Sequence, residues 1–178
     1  MNIGEEIVGA YLEHIKHCEF VQKNLYTPDV QGEIDVVGIN LKNKEIYVCE
    51  VAIHLITGLQ YVKEKQPNNI DKLTEKFSKD IEYADKYFHE YTKHVMLWSP
   101  IIKDQAKDAK HNQMRDVRKL CENIKTKYGV ELEIIANEKF LSCLEELREH
   151  ARKETKESKS PVVRLMQVEE RLKGMGTG

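Results

Sequence analysis

Residues 33–54, EIDVVGINLKNKEIYVCEVAIH, decide the fold. Two runs rich in Val, Ile and Tyr flank LKNKE, whose Asn43 and lysines suit a hairpin turn, so strands are predicted over 33–40 and 44–55. Alternate residues of a strand face the same way, so Glu33 and Asp35 share a face, as do Glu50, Ala52 and His54. Charges inside such apolar runs are costly to bury unless they pair or bind a cation. If the strands are neighbours, Asp35 and Glu50 converge near their ends. Two carboxylates and a backbone carbonyl make a hard-oxygen site suited to Mg²⁺ or Mn²⁺, and such an ion polarises a phosphodiester and activates water. The same residues also allow a second reading, in which the carboxylates are bonded to lysine or to backbone amides.

Working outward, Ile3, Ile7, Val8, Tyr11 and Ile15 recur at helical spacing and predict a helix over 2–16. CEFVQKNLY reads as a strand, and TPDVQG as a loop punctuated by Pro28 and Gly32. LITGLQYVKEKQPNN is expected to begin as a helical turn and to break at Pro67-Asn68-Asn69. Asn68 or Asn69 then caps a long helix with Ile70, Leu73, Phe77, Ile81, Ala84, Phe88 and Tyr91 on one face. HVMLWS is a continuously apolar strand of the kind buried on both sides. Val117, Leu120, Cys121, Ile124 and Tyr128 define another helix, ended by Gly129. VELEIIA is a last strand, and Asn137 is expected to cap a last helix.

The order α-β-β-β-α-β-α-β-α predicts one α/β domain over 1–152 with a mixed central sheet flanked by helices. Residues 153–178 read as a charged linker and a C-terminal tail with some helical periodicity, expected to be mobile or held by a partner.

The chain has 178 residues, 40% hydrophobic and 33% charged, enough for one real core. No apolar run approaches the roughly 20 residues that span a bilayer, so no membrane is expected. The first residues carry neither a basic start nor an apolar signal core, and a cytoplasmic location is expected. The four cysteines lack a CxxC pair and read as reduced thiols; His14, His17 and Cys18 lie close together, but no second ligand cluster completes a metal site. Residues 1–62 carry four Lys/Arg against nine Asp/Glu, whereas 103–127 carry eight against four. That asymmetry suits a metal site beside a phosphate-binding face, although solvated helix surface produces it as well.

The ordered pieces IGEEIVGAYLEH, VQKNLY, GEIDVVGIN and IYVCEVAIH resemble the core of the PD-(D/E)XK nuclease superfamily, which has a restriction-endonuclease-like fold. More narrowly, they are similar to archaeal Holliday-junction resolvases and to a small bacterial nuclease-like family. The resemblance covers residues 3–54, about a third of the chain. It implies a divalent-metal-dependent DNA nuclease of restriction, repair or junction processing that leaves a 5′-phosphate, with DNA as partner and a homodimer as an option. By position, Glu5 is the helix acid that helps place metal-bound water, with Glu6 as its rival. Asp35 and Glu50 are the metal ligands, Val51 offers its backbone carbonyl, and Glu33 is a supporting partner.

The chain departs from this pattern at residue 52, where the superfamily places a lysine and this sequence has Ala52. His54 is one replacement, a strand repeat further along. Lys63 and Lys65 are others, since in some members the lysine migrates to the following helix. Gln60 matches a glutamine found after the third strand in several branches and is a candidate for DNA contact. The alternative implied by Ala52 is an inactive nuclease-like module that binds nucleic acid or protein.

Overall fold

The computed structural model describes residues 2–27, 32–106 and 108–175. The loop expected around Pro28 and the last three residues of the glycine-rich end lie largely outside them. Helix α1 (Ile3–His14) is followed by strands β1 (Phe20–Thr27), β2 (Gly32–Asn40) and β3 (Glu45–Val51). A short hairpin, β4 (Val62–Lys63) and β5 (Gln66–Pro67), precedes α2 (Asn69–Tyr87). Then come β6 (Thr92–Ser99), α3 (Gln113–Tyr128), β7 (Leu132–Ala136), α4 (Asn137–Lys153) and α5 (Pro161–Met175).

The five main strands form one mixed sheet in the order β1-β2-β3-β6-β7. The first three pair antiparallel, as short turns allow, and β6 and β7 add in parallel after helical crossovers. The chain is therefore an α/β protein with a mixed sheet flanked by helices. Val36, Cys49, Val51, Met96 and Trp98 pack with α1, α4 and α5 on one side. Val95, Leu97 and Ala52 pack with α2 and α3 on the other.

Local chemistry explains the ends of the elements. The Asn2 side chain accepts the Gly4 N–H at 3.0 Å, and Glu5 and Glu6 lie in the first turn, where the helix dipole favours acids. Gly4 is required by close approach, since a Cβ there would stand 2.3 Å from Ile53 Cγ1. Gly129 ends α3 in the left-handed conformation, with φ of 69°. Ser160 precedes Pro161, the first residue of α5, and its carbonyl accepts the Arg164 N–H at 2.9 Å.

Three local expectations are corrected and one is extended. Strand β3 stops at Val51 rather than reaching residue 55. The segment after it begins with a single helical turn, the Gly58 N–H donating to the His54 carbonyl at 3.1 Å, and continues into the β4–β5 hairpin, whose turn residues Glu64 and Lys65 have φ of 51° and 62°. Such values match the twist of a two-residue hairpin loop. Helix α2 ends at Tyr87, so Phe88 and Tyr91 lie beyond it. Asn137 does not cap α4: it has φ of 51°, and its side chain bonds both the N–H and the C=O of Ile102 at 3.0 Å. Buried loop amides outrank the helix end as partners.

Past residue 152, α5 lies against α4 and α1. Val162, Val163 and Met166 are buried there, and the Gln167 side chain bonds the Lys156 carbonyl (2.7 Å) and the Ser158 N–H (3.0 Å).

Candidate functional site

The site begins where the β2–β3 ladder gives way. Its last regular pair is Val36 with Cys49, and the register sets Asp35 beside Glu50. Here a side chain replaces the backbone bond, because Asp35 Oδ2 accepts the Val51 N–H at 2.7 Å. On the other side, Lys23 pairs with Val36 and Leu25 with Ile34, which brackets Asn24 opposite Asp35. Asn24 has φ of 51° and interrupts that ladder as well. Asn24, Asp35 and Glu50 thus form a row across three strands.

Helix α2 supplies what faces this row. Lys76 Nζ is ion-paired with Glu50 Oε2 and lies 3.6 Å from Asp35 Oδ2. One turn further along α2, Asp80 is buried beside Glu50. Glu50 itself is 1% exposed. Three carboxylates therefore share one ammonium, and their protonation follows from that imbalance. Burial, then the charges of Asp80 and Asp35, pushes the Glu50 carboxyl far above the carboxylate range. Burial also raises Asp80, against its interaction with the Glu50 carboxyl and the charge of Lys76. Burial opposes the charge on Lys76, but Glu50 and Asp35 carry it above the ordinary lysine range. Tyr61, raised chiefly by burial, feels Lys76, Glu50 and Asp35.

A polar network fixes the segment that carries Tyr61. The Asn69 side chain accepts the Tyr61 N–H at 2.6 Å and donates to the Leu59 carbonyl (3.1 Å) and to Asp116 Oδ2 (3.0 Å). The Gln113 amide bonds the Thr57 carbonyl and the Lys103 N–H at 2.7 and 2.9 Å. Both networks tie residues 57–61 to α3.

The remaining candidates divide into those near this row and those away from it. Glu5 is buried on α1, where its carboxylate accepts from Asn2 (2.6 Å) and from Asn24 (2.7 Å). It meets the row through Asn24. Glu6 is ion-paired with Lys23, and Glu33 is exposed on β2. The shared-face argument for His54 fails, because the strand has ended; His54 is exposed, and its carbonyl accepts the Gly58 N–H at 3.1 Å. Gln60 is half-buried beside Tyr61. Lys63 and Lys65 are exposed on the β4–β5 hairpin, and the Lys65 carbonyl accepts from Lys110 at 3.3 Å.

Lys76, Asp80 and Tyr61 are not among the candidates read from the sequence, and Asn24 enters there only within VQKNLY. A signal for two of them was present: Lys76 and Asp80 are four apart and interrupt the stripe of Leu73, Phe77, Ile81 and Ala84. A lysine and an aspartate on an apolar helix face require partners.

The donor set suits a hard cation. Asp35, Glu50 and Asp80 supply oxygens, and Glu50 Oε1 and Asp80 Oδ2 are buried with no hydrogen-bond partner. In the present arrangement Lys76 occupies the place of the positive charge, and among the described residues no group of three or more His, Cys, Asp or Glu is disposed to hold a metal. No helix among the described residues is long and apolar enough to cross a membrane. Comparisons with protein families, with curated proteins and with solved structures yield no match.

Proposed function

We propose that this chain is a divalent-metal-dependent DNA nuclease with a restriction-endonuclease-like core, in which Lys76 takes the part of the lysine missing at Ala52. The observation that carries the reading is the approach of Lys76, from the helix after β3, to both Asp35 and Glu50. An antiparallel meander with a parallel strand added beside β3 supports it, because that arrangement sets both acids at one end of adjacent strands.

Asp35, Glu50 and the Val51 carbonyl would hold Mg²⁺ or Mn²⁺, with Asp80 as a further oxygen donor. When bound, the ion would supply Lewis-acid polarisation of the phosphodiester and a more acidic water. The chain's own residues do the rest. The Val51 N–H orients Asp35, and Glu5 steadies Asn24 beside it. Lys76, which reaches both Asp35 and Glu50, would stand beside a cation held there and could offset negative charge developing on a bound phosphate. Burial of Glu50 and Asp80 makes every one of these charges count for more than it would in water.

The test is hydrolysis of single-stranded, double-stranded and branched DNA by the purified chain with Mg²⁺ or Mn²⁺. Cleavage is expected with metal and is abolished by Asp35→Asn or Lys76→Met. Absence of cleavage of every DNA form with both metals overturns the reading. A second reading, a non-catalytic nuclease-like binding module, is favoured by the Lys76–Glu50 ion pair, which already neutralises part of the site. It predicts DNA binding that is indifferent to divalent ions and no calorimetric metal signal.

A further inference from the structure

Helix α5 has two apolar faces, and only one of them is used. Val162, Val163 and Met166 are buried against the body. On the opposite side, Leu165, Val168, Leu172 and Met175 are 47–78% exposed. Their spacing is three, four and three, the a-d-a-d pattern of a coiled-coil seam. An amphipathic helix normally needs one apolar stripe to dock, and the second stripe stays exposed among the described residues. The last turns, residues 171–175, are exposed all round, leaving the seam sterically open.

The flanks of the stripe identify what covers it. Arg164 and Arg171 occupy the g positions on one flank, and Glu169 occupies the e position on the other. In a parallel pair, each g residue meets the e residue five further along the partner helix. Arg164 of each copy then faces Glu169 of the other, twice by symmetry. In an antiparallel pair the same flanks would set arginine against arginine and glutamate against glutamate. The present partners of these residues are exposed surface pairs, Arg164 with Glu157 at 2.7 Å and Arg148 with Glu169 at 3.9 Å, and are readily exchanged. We infer that the outer face of α5 is the interface of a parallel, two-fold symmetric homodimer of this chain. This surface is independent of the nuclease reading, since none of its residues touches the Asp35–Glu50 row.

Sedimentation equilibrium of the full chain is expected to show reversible dimerisation with Kd of roughly micromolar order, consistent with a short seam. Leu165→Glu with Leu172→Glu is expected to weaken it by about a hundredfold or more, because each lost contact occurs on both copies. Both positions are exposed in the monomer, so circular dichroism and thermal unfolding of the variant remain those of a folded protein. Arg164→Glu is expected to weaken the dimer, and Arg164→Glu with Glu169→Arg to restore it. Val168→Cys is expected to form an inter-chain disulfide on mild oxidation, because symmetric d positions face each other only in a parallel pair. A monomer at concentrations up to about 1 mM, where even weak specific association registers, overturns the inference. So does a dimer indifferent to the Leu165/Leu172 changes, or a disulfide that forms only between Val168→Cys and Leu172→Cys chains, the antiparallel signature.

Discussion

The strand-borne half of the candidate site and the helix-borne half are built on different principles. Asp35 and Glu50 stand in apolar strands whose two-residue period fixes their face, and the β2–β3 register brings them side by side. Lys76 and Asp80 arrive from α2, seen only as charges on an otherwise apolar helical stripe. The strand half supplies negative charge in excess, and the helix half adds one positive charge together with one more acid. Strand positions determine which groups meet. Helix positions determine whether the meeting is electrostatically tolerable.

The sharpest way to break the comparison is to delete the single cation. Lys76→Met leaves Glu50 and Asp35 without the ammonium beside them and Asp80 with Lys79 alone, and equilibrium urea unfolding at pH 8 is expected to show a loss of about 3 kcal/mol. The loss is expected to shrink at pH 5, where Asp80, whose carboxyl burial raises, is protonated as well as Glu50. An equal loss at both pH values would show that packing of the lysine stem, not charge, is what α2 contributes.

The next test concerns the strand half alone. Because the folded-state pKa of Glu50 is raised, the folded chain holds a proton that the unfolded chain has released once pH exceeds the ordinary glutamate value, about 4.3. Stability from this group is therefore complete below that value and falls as pH rises towards the folded-state pKa. Glu50→Gln is expected to flatten this slope and to gain about 1–2 kcal/mol over the native chain at pH 9, measured by unfolding across pH. A native profile that rises from pH 5 to 9 would contradict the crowding of carboxylates around Glu50.

A smaller effect is expected at the link between the row and α1. Asn24→Ala removes the donor to Glu5 and places alanine at a left-handed φ, with an expected cost of about 1–2 kcal/mol in urea unfolding. Asn24→Gly, which accepts that φ, isolates the hydrogen-bond share. Smallest of all is His54→Ala, expected within about 0.5 kcal/mol of the native chain because its side chain is exposed beyond the strand.

Much of the fold was legible because its signals are local. The strand runs around EIDVVGIN and HVMLWS, and the helix ended by Gly129, depend on period, apolarity and one left-handed turn. What was not legible depends on long-range partners. Asn137 looks like a helix cap until Ile102, 35 residues away, claims its side chain. His54 looks like a neighbour of Glu50 only while β3 is taken to continue, and nothing in IHL marks the stop. The β4–β5 hairpin turns through Glu64 and Lys65, residues that rarely advertise a positive φ. The replacement for the lysine at Ala52 was sought in the nearest lysines, Lys63 and Lys65. The one that reaches the acids, Lys76, lies on the third turn of a helix.

The Asn69 side chain carries a consequence for the order of assembly. The β1–β3 meander joins residues close in sequence and can form early, since short loops cost little entropy to close. Tyr61, by contrast, is held through Asn69, which is itself anchored to Asp116 on α3, 47 residues away. The Tyr61 segment is thus fully anchored only when α3 has been added. Hydrogen exchange at the Tyr61 amide would then record completion of the whole domain, and a chain stopped before α3 would hold Tyr61 through an Asn69 that lacks its own anchor.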